Sequence, residues 1–223
     1  MVRVLLATGL SCGFGALVSA HTIGATPVTW NREISRLFYD KCASCHRPGG
    51  TAFSLLTYPE VQPRLVEIQT AVLTRRMPPW GAIKGFGTFR NERALTQEQI
   101  ELIVAWIQND APRGNNRRAL PPMPSFADAA PEPLPPVVRT ISGETTLDRP
   151  VVAEGLLPEH VTARDSIRVT AALPDGSVEP LIWLHQYDDR HKHAFLFRTP
   201  IALPAGTVIR GVPGHARIAL LGH

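Results

Sequence analysis

Two kinds of patterning divide the sequence, and together they predict a multidomain α plus all-β chain: a small helical unit joined by a Pro-rich linker to a β-sandwich-like unit. Ahead of Pro112, apolar residues recur at helical spacing. Between Pro112 and Pro136 prolines crowd the chain, and beyond them the apolar period shortens to two.

The chain opens MVRVLLATGLSCGFGALVSAHT, with Arg3, an apolar run from Val4 to Ala20 and a Val18-Ser19-Ala20 cleavage pattern. This reads as a secretory signal over 1–20, and the run is too short and too broken by Gly9, Ser11, Gly13 and Gly15 to favour a membrane anchor. The expected mature chain starts near His21, is periplasmic and has no integral membrane span. It is divided into a helical unit over 21–116, a linker over 117–137 and an all-β unit over 138–223.

Within the helical unit, Ile34, Leu37, Phe38 and Lys41 fall at successive helical offsets and lead into Cys42. Val61, Leu65, Ile68 and Val72 form the stripe of a helix expected over 61–74. In LTQEQIELIVAWIQNDAPRG, Thr96 and Gln99 are spaced as a capping box, Ile100, Ile103, Val104 and Ile107 make the apolar face, and Pro112 and Gly114 stop the helix. Pro112, Pro121, Pro122, Pro124, Pro131, Pro133, Pro135 and Pro136 then exclude helix and central strand, which gives an extended, stiff spacer. Past it, Ile167, Val169 and Ala171 alternate with smaller or polar neighbours and Pro174-Asp175-Gly176-Ser177 signals a turn. Leu181 to Tyr187, Ala194 to Arg198, Thr207 to Val212 and Arg217 to Leu221 read as strands.

The chemistry concentrates in KCASCHRPGG. Cys42 and Cys45 are the only cysteines left once Cys12 goes with the signal, so no disulfide framework exists. A structural zinc site wants four ligands, usually in two paired sets, and only one pair is here. A thiol–disulfide motif of this spacing belongs at a strand-to-helix junction, whereas this one follows a helix. Two cysteines three apart with His46 directly behind fit covalent haem c attachment, with the two sulfurs on one porphyrin edge and the imidazole on the iron. Met77, in RRMPPW, is the expected sixth ligand; Met123 lies in the spacer. Pro78 and Pro79 fix the backbone beside Met77, and Trp80 is expected to wall the pocket.

KCASCHRPGGTAFSLLTYPEVQPR, AVLTRRMPPW and LTQEQIELIVAWIQNDAP together resemble the class I type cytochrome c domain of exported bacterial proteins, which is often fused to a β domain related to the copper type II, ascorbate-dependent monooxygenases. The resemblance covers about 30–114 closely and 181–212 loosely. It implies one covalent haem c on Cys42 and Cys45, with His46 proximal and Met77 distal. The reading that follows is a one-electron carrier, with the β unit as a docking or localising module for redox partner proteins. Copper catalysis does not carry over, because those enzymes spread two copper centres over two β domains and one β unit is present here.

His185, His191, His193, His215 and His223 crowd the C-terminal stretch. HKH on a strand edge would put His191 and His193 on one face, and with His185 they form the candidate copper site of an alternative reading, a haem-to-copper oxidoreductase. The competing reading of DDRHKH is an ordinary polar turn. A haem-based sensor, the third reading, needs an open sixth position. The stiff spacer leads to the expectation that the two units act independently. The 21–116 segment holds eleven Lys and Arg against eight Asp and Glu, with Arg75, Arg76, Lys84, Arg90 and Arg93 in a loose basic zone. No basic run is interleaved with aromatics, which argues against nucleic acid as a partner.

Overall fold

The computed structural model describes residues 27–126, 133–162 and 165–223; the expected signal segment, Cys12, His21 and part of the spacer lie outside them. The described chain is mixed α plus β, with a few short helices and two antiparallel four-stranded sheets. None of its helices is long and apolar enough to cross a membrane.

A π-helical turn, Trp30–Ile34, runs into α1 (Ser35–Lys41), followed by α2 (Tyr58–Val61), α3 (Leu65–Leu73) and α4 (Gln97–Gln108). The single helix expected over 61–74 is broken. Pro63 has no N–H to donate, so the chain passes through a 3-10 turn, Gln62–Arg64, before α3 restarts. The expected stripe still faces inward: Val61, Ile68 and Val72 are buried with Ile34, Phe38, Ile100 and Ile103 in one core. Thr96 and Gln99 make the reciprocal cap of α4, the Gln99 N–H donating to the Thr96 hydroxyl at 3.2 Å and the Thr96 N–H to Gln99 Oε1 at 2.9 Å. Trp106 Nε1 donates to the Pro112 carbonyl at 3.0 Å, and the Trp30 N–H reaches the same oxygen at 3.0 Å, tying the first turn of this unit to its last.

The strands are β1 (Val137–Ile141), β2 (Thr145–Thr146), β3 (Val151–His160), β4 (Ser166–Ala172), β5 (Val178–His185), β6 (Phe195–Leu203), β7 (Val208–Arg210) and β8 (Arg217–Gly222). The first sheet has the order β1-β8-β3-β6 and the second β2-β7-β4-β5. Leu156, Phe195, Ile218 and Leu220 from one sheet meet Ile167, Val169, Leu184 and Ile209 from the other in a single apolar core.

Residues 80–94, which lie in sequence between α3 and α4, close the open side of this sandwich. Ala82 bridges Leu184 at the edge of the second sheet, and Phe89 bridges Phe197 at the edge of the first. The Ile83 N–H donates to the Trp183 carbonyl at 2.8 Å, the His185 N–H to Gly81 at 3.0 Å, the Arg90 N–H to Leu196 at 2.9 Å and the Arg198 N–H to Thr88 at 2.9 Å. Two edge strands that would otherwise show unpaired backbone are thereby covered. Trp80 and Phe89 are 3% and 2% exposed in the sandwich core; Trp80 packs on Phe195 and, with Met77, borders neighbouring cavities. The expectation of two independent units joined only by a spacer is likewise corrected, because the helical part sends a segment into the β core.

Gly87 permits that approach. Its φ is +78°, and a Cβ there would lie 2.4 Å from the Leu181 carbonyl oxygen. Gly87→Ala is expected to cost about 2–4 kcal/mol through left-handed strain and backbone displacement, read as a lowered denaturation midpoint at unchanged slope.

Candidate functional site

Cys42 caps the C-terminal end of α1, its N–H donating to the Phe38 carbonyl at 2.9 Å. The chain then makes one further tight turn, with the His46 N–H on the Cys42 carbonyl at 2.9 Å and the Cys45 N–H on the same oxygen at 3.2 Å. This turn brings Cys42, Cys45 and His46 to the wall of one cavity of about 410 Å3. Both sulfurs are free thiols. Burial, with smaller contributions from Asp40 and Cys45, pushes the Cys42 thiol up to about 12, which disfavours the thiolate needed for disulfide exchange.

The segment after His46 folds back on it. The Ala52 N–H donates to the Cys45 carbonyl at 3.2 Å and the Leu55 N–H to His46 at 3.1 Å. Gly50 makes this possible, since a Cβ there would stand 2.3 Å from the Cys45 carbonyl oxygen. The fold-back sets the Phe53 carbonyl 2.9 Å from His46 Nδ1. A carbonyl only accepts, so that contact assigns the proton to Nδ1 and leaves the Nε2 lone pair for a metal.

Met77 borders the same cavity. At the end of α3, Arg75 takes the left-handed conformation, φ 54°, and the N–H groups of Arg76 and Met77 both donate to the Ala71 carbonyl, at 2.9 and 3.2 Å. Pro78 and Pro79 follow, with the Met77–Pro78 peptide cis. Phe38, Ile68, Ala71, Val72 and Ile103 supply the apolar lining. The cavity therefore offers two thiols on one turn, an imidazole with its outer nitrogen fixed, a thioether and an apolar bed. That donor set fits a covalently attached porphyrin and suits no hydrated cation. Met123 is exposed, in a segment without regular structure, and does not border this cavity.

Arg190 and His191, from the turn after β5, also border the cavity. No pattern local to the sequence pairs them with Met77; the contact comes from packing residues 80–94 into the sandwich. HKH is not on a strand. Asp188 Oδ1 accepts the Arg190 N–H at 3.0 Å and caps a 3-10 turn, Asp189–His191. His193 Nδ1 bonds the His191 carbonyl at 2.7 Å, and its ring stacks on Trp80 with centroids 5.0 Å apart. Burial depresses the pKa of His193, and the charge of Arg93 adds to that. His185 ends β5, exposed, and borders a second cavity of about 390 Å3 with His191 and His193. Among the described residues, however, no three His, Cys, Asp or Glu side chains are grouped to hold a metal ion. His215 and His223 pair separately, with Asp165 at 3.3 Å and Glu154 at 3.1 Å.

Comparison with protein families, with curated proteins and with solved structures found no match for this chain.

Proposed function

We propose that this protein is an exported, periplasmic c-type cytochrome that carries single electrons between redox partner proteins. The observation that carries the reading is the shared cavity of Cys42, Cys45, His46 and Met77, residues spread over 36 positions of sequence and brought to one apolar wall by α1 and the end of α3. Cys42 and Cys45 would hold the haem covalently, and His46 and Met77 would be its axial ligands; bound there, the haem supplies a reversible one-electron couple. The protein's own contribution is to fix the imidazole through Phe53, to exclude water with Phe38, Ile68, Val72 and Ile103, and to present the thioether. A thioether ligand raises the potential relative to two imidazoles and closes the iron to small oxidants, which suits a carrier better than a sensor.

Purified protein matured with haem c assembly is expected to contain one iron and no stoichiometric copper per chain. Its low-spin spectrum should carry a sulfur-to-iron charge-transfer band. A high-spin spectrum would reject the carrier reading, and one copper per chain would restore the copper oxidoreductase.

A further inference from the structure

The charges around the cavity are one-sided. Lys41, Arg76, Arg93 and Arg190 border it, and Glu67 is the sole acid among the described residues that do. Three of these five are already paired: Lys41 with Asp40 at 3.3 Å, Glu67 with Arg64 at 3.2 Å, and Arg190 with Asp188 at 2.5 Å. Arg76 and Arg93 have no carboxylate partner among the described residues, the Arg76 guanidinium donating to the Thr74 hydroxyl at 3.3 Å. Two guanidinium groups on one rim therefore lack a counter-charge, and a porphyrin carries two propionate carboxylates.

Arg93 owes its place to the β unit. Two residues before it, Asn91 is clamped on the start of β6, its Nδ2 donating to the Ala194 carbonyl at 2.8 Å and its Oδ1 accepting the Leu196 N–H at 3.3 Å. The Arg90 N–H adds a third bond to the Leu196 carbonyl at 2.9 Å. The same strand follows directly on His193, whose ring feels the charge of Arg93, and the turn carrying Arg190 and His191 borders the cavity beside it.

From this arrangement, and resting on the haem reading above, we infer that the β unit is part of the haem site: by clamping Asn91 it sets Arg93, which with Arg76 anchors the propionate carboxylates and tunes the reduction of the iron. Each guanidinium offsets a carboxylate charge near the metal. Removing one leaves uncompensated negative charge, which favours the more positive ferric state. Asn91 acts here as a positioning residue for Arg93.

The test uses the full-length, haem-loaded protein and reads the midpoint potential together with the ligand spectrum. Arg76→Gln and Arg93→Gln should each shift the reduction equilibrium about tenfold toward the oxidised form, which is ~59 mV for a one-electron couple. Asn91→Ala should shift it in the same direction while the low-spin, sulfur-ligated spectrum stays unchanged. Arg210→Gln, which removes a charge paired with Glu144 outside the cavity, sets the background. Arginine variants that move no further than Arg210→Gln, with haem still attached and sulfur-ligated, overturn the anchoring. A shift in Arg93→Gln without one in Asn91→Ala overturns the part given to the β unit. Wild-type protein without covalent haem fails at the first spectrum and takes the functional reading down as well.

Discussion

Denatured in acid or guanidinium, wild-type protein from cells with haem c maturation is expected to keep its haem, and the Cys42→Ala, Cys45→Ala double variant to release all of it. The difference would be covalent: axial ligation by His46 and Met77 would depend on the fold and be lost on unfolding, whereas thioether bonds survive it. The single variants should retain one bond each and keep most of their haem. Haem stain on a denaturing gel against total protein gives the measurement. Haem retained by the double variant would end the assignment of these two thiols. Because Cys42 borders the cavity with its sulfur in apolar surroundings, the double variant should also lose packing when no haem fills the space, at a cost of about 1–3 kcal/mol.

Met77→Ala should have the second largest effect, of a different kind. Haem stays attached, the sulfur-to-iron band disappears, carbon monoxide binds the reduced protein, and the reduction equilibrium falls at least tenfold, ~59 mV or more. Met123 cannot substitute from where it lies, so Met123→Ala should leave the spectrum unchanged. An unchanged ligand field in Met77→Ala would instead hand the position to His191, which with His46 makes up the imidazoles bordering the cavity among the described residues.

The sequence was most legible where local chemistry decides the structure. The Thr96–Gln99 cap and the stripe Ile100, Ile103 are sequence-local, and both are found in α4. β4 alternates regularly from Ile167, and the strands expected after it are found as β5, β6, β7 and β8, although β6 and β8 bury consecutive residues. The ten residues of β3 escaped because VVAEGLLPEH reads as interrupted: Gly155 and Pro158 look like breakers, and register shifts next to both displace the alternation. The candidate site was legible as residue types, since Cys42, Cys45, His46 and Met77 border one cavity. What local pattern could not supply was the company they keep. Trp80 stands three residues from Met77 and borders neighbouring cavities with it, yet its ring packs in the sandwich and it does not border the cavity of Cys42, Cys45 and His46. Arg190 and His191 are more than a hundred residues away and come alongside. Both outcomes follow from residues 80–94 joining two sheet edges, a long-range pairing that no window of sequence reveals.

That pairing also orders events in time. A chain emerging from its N-terminus presents Cys42, Cys45 and His46 early, and their turn needs only α1 and the few residues that fold back to Phe53. The loop beyond Met77 differs, because Asn91 finds its partners 103 and 105 residues later. Residues 80–94 must wait, unpaired, until nearly the whole polypeptide has emerged. On the proposed haem reading, covalent attachment would therefore precede the tertiary structure that places Met77. A chain truncated before β6 would then be expected to carry haem yet leave residues 80–94 without an anchor.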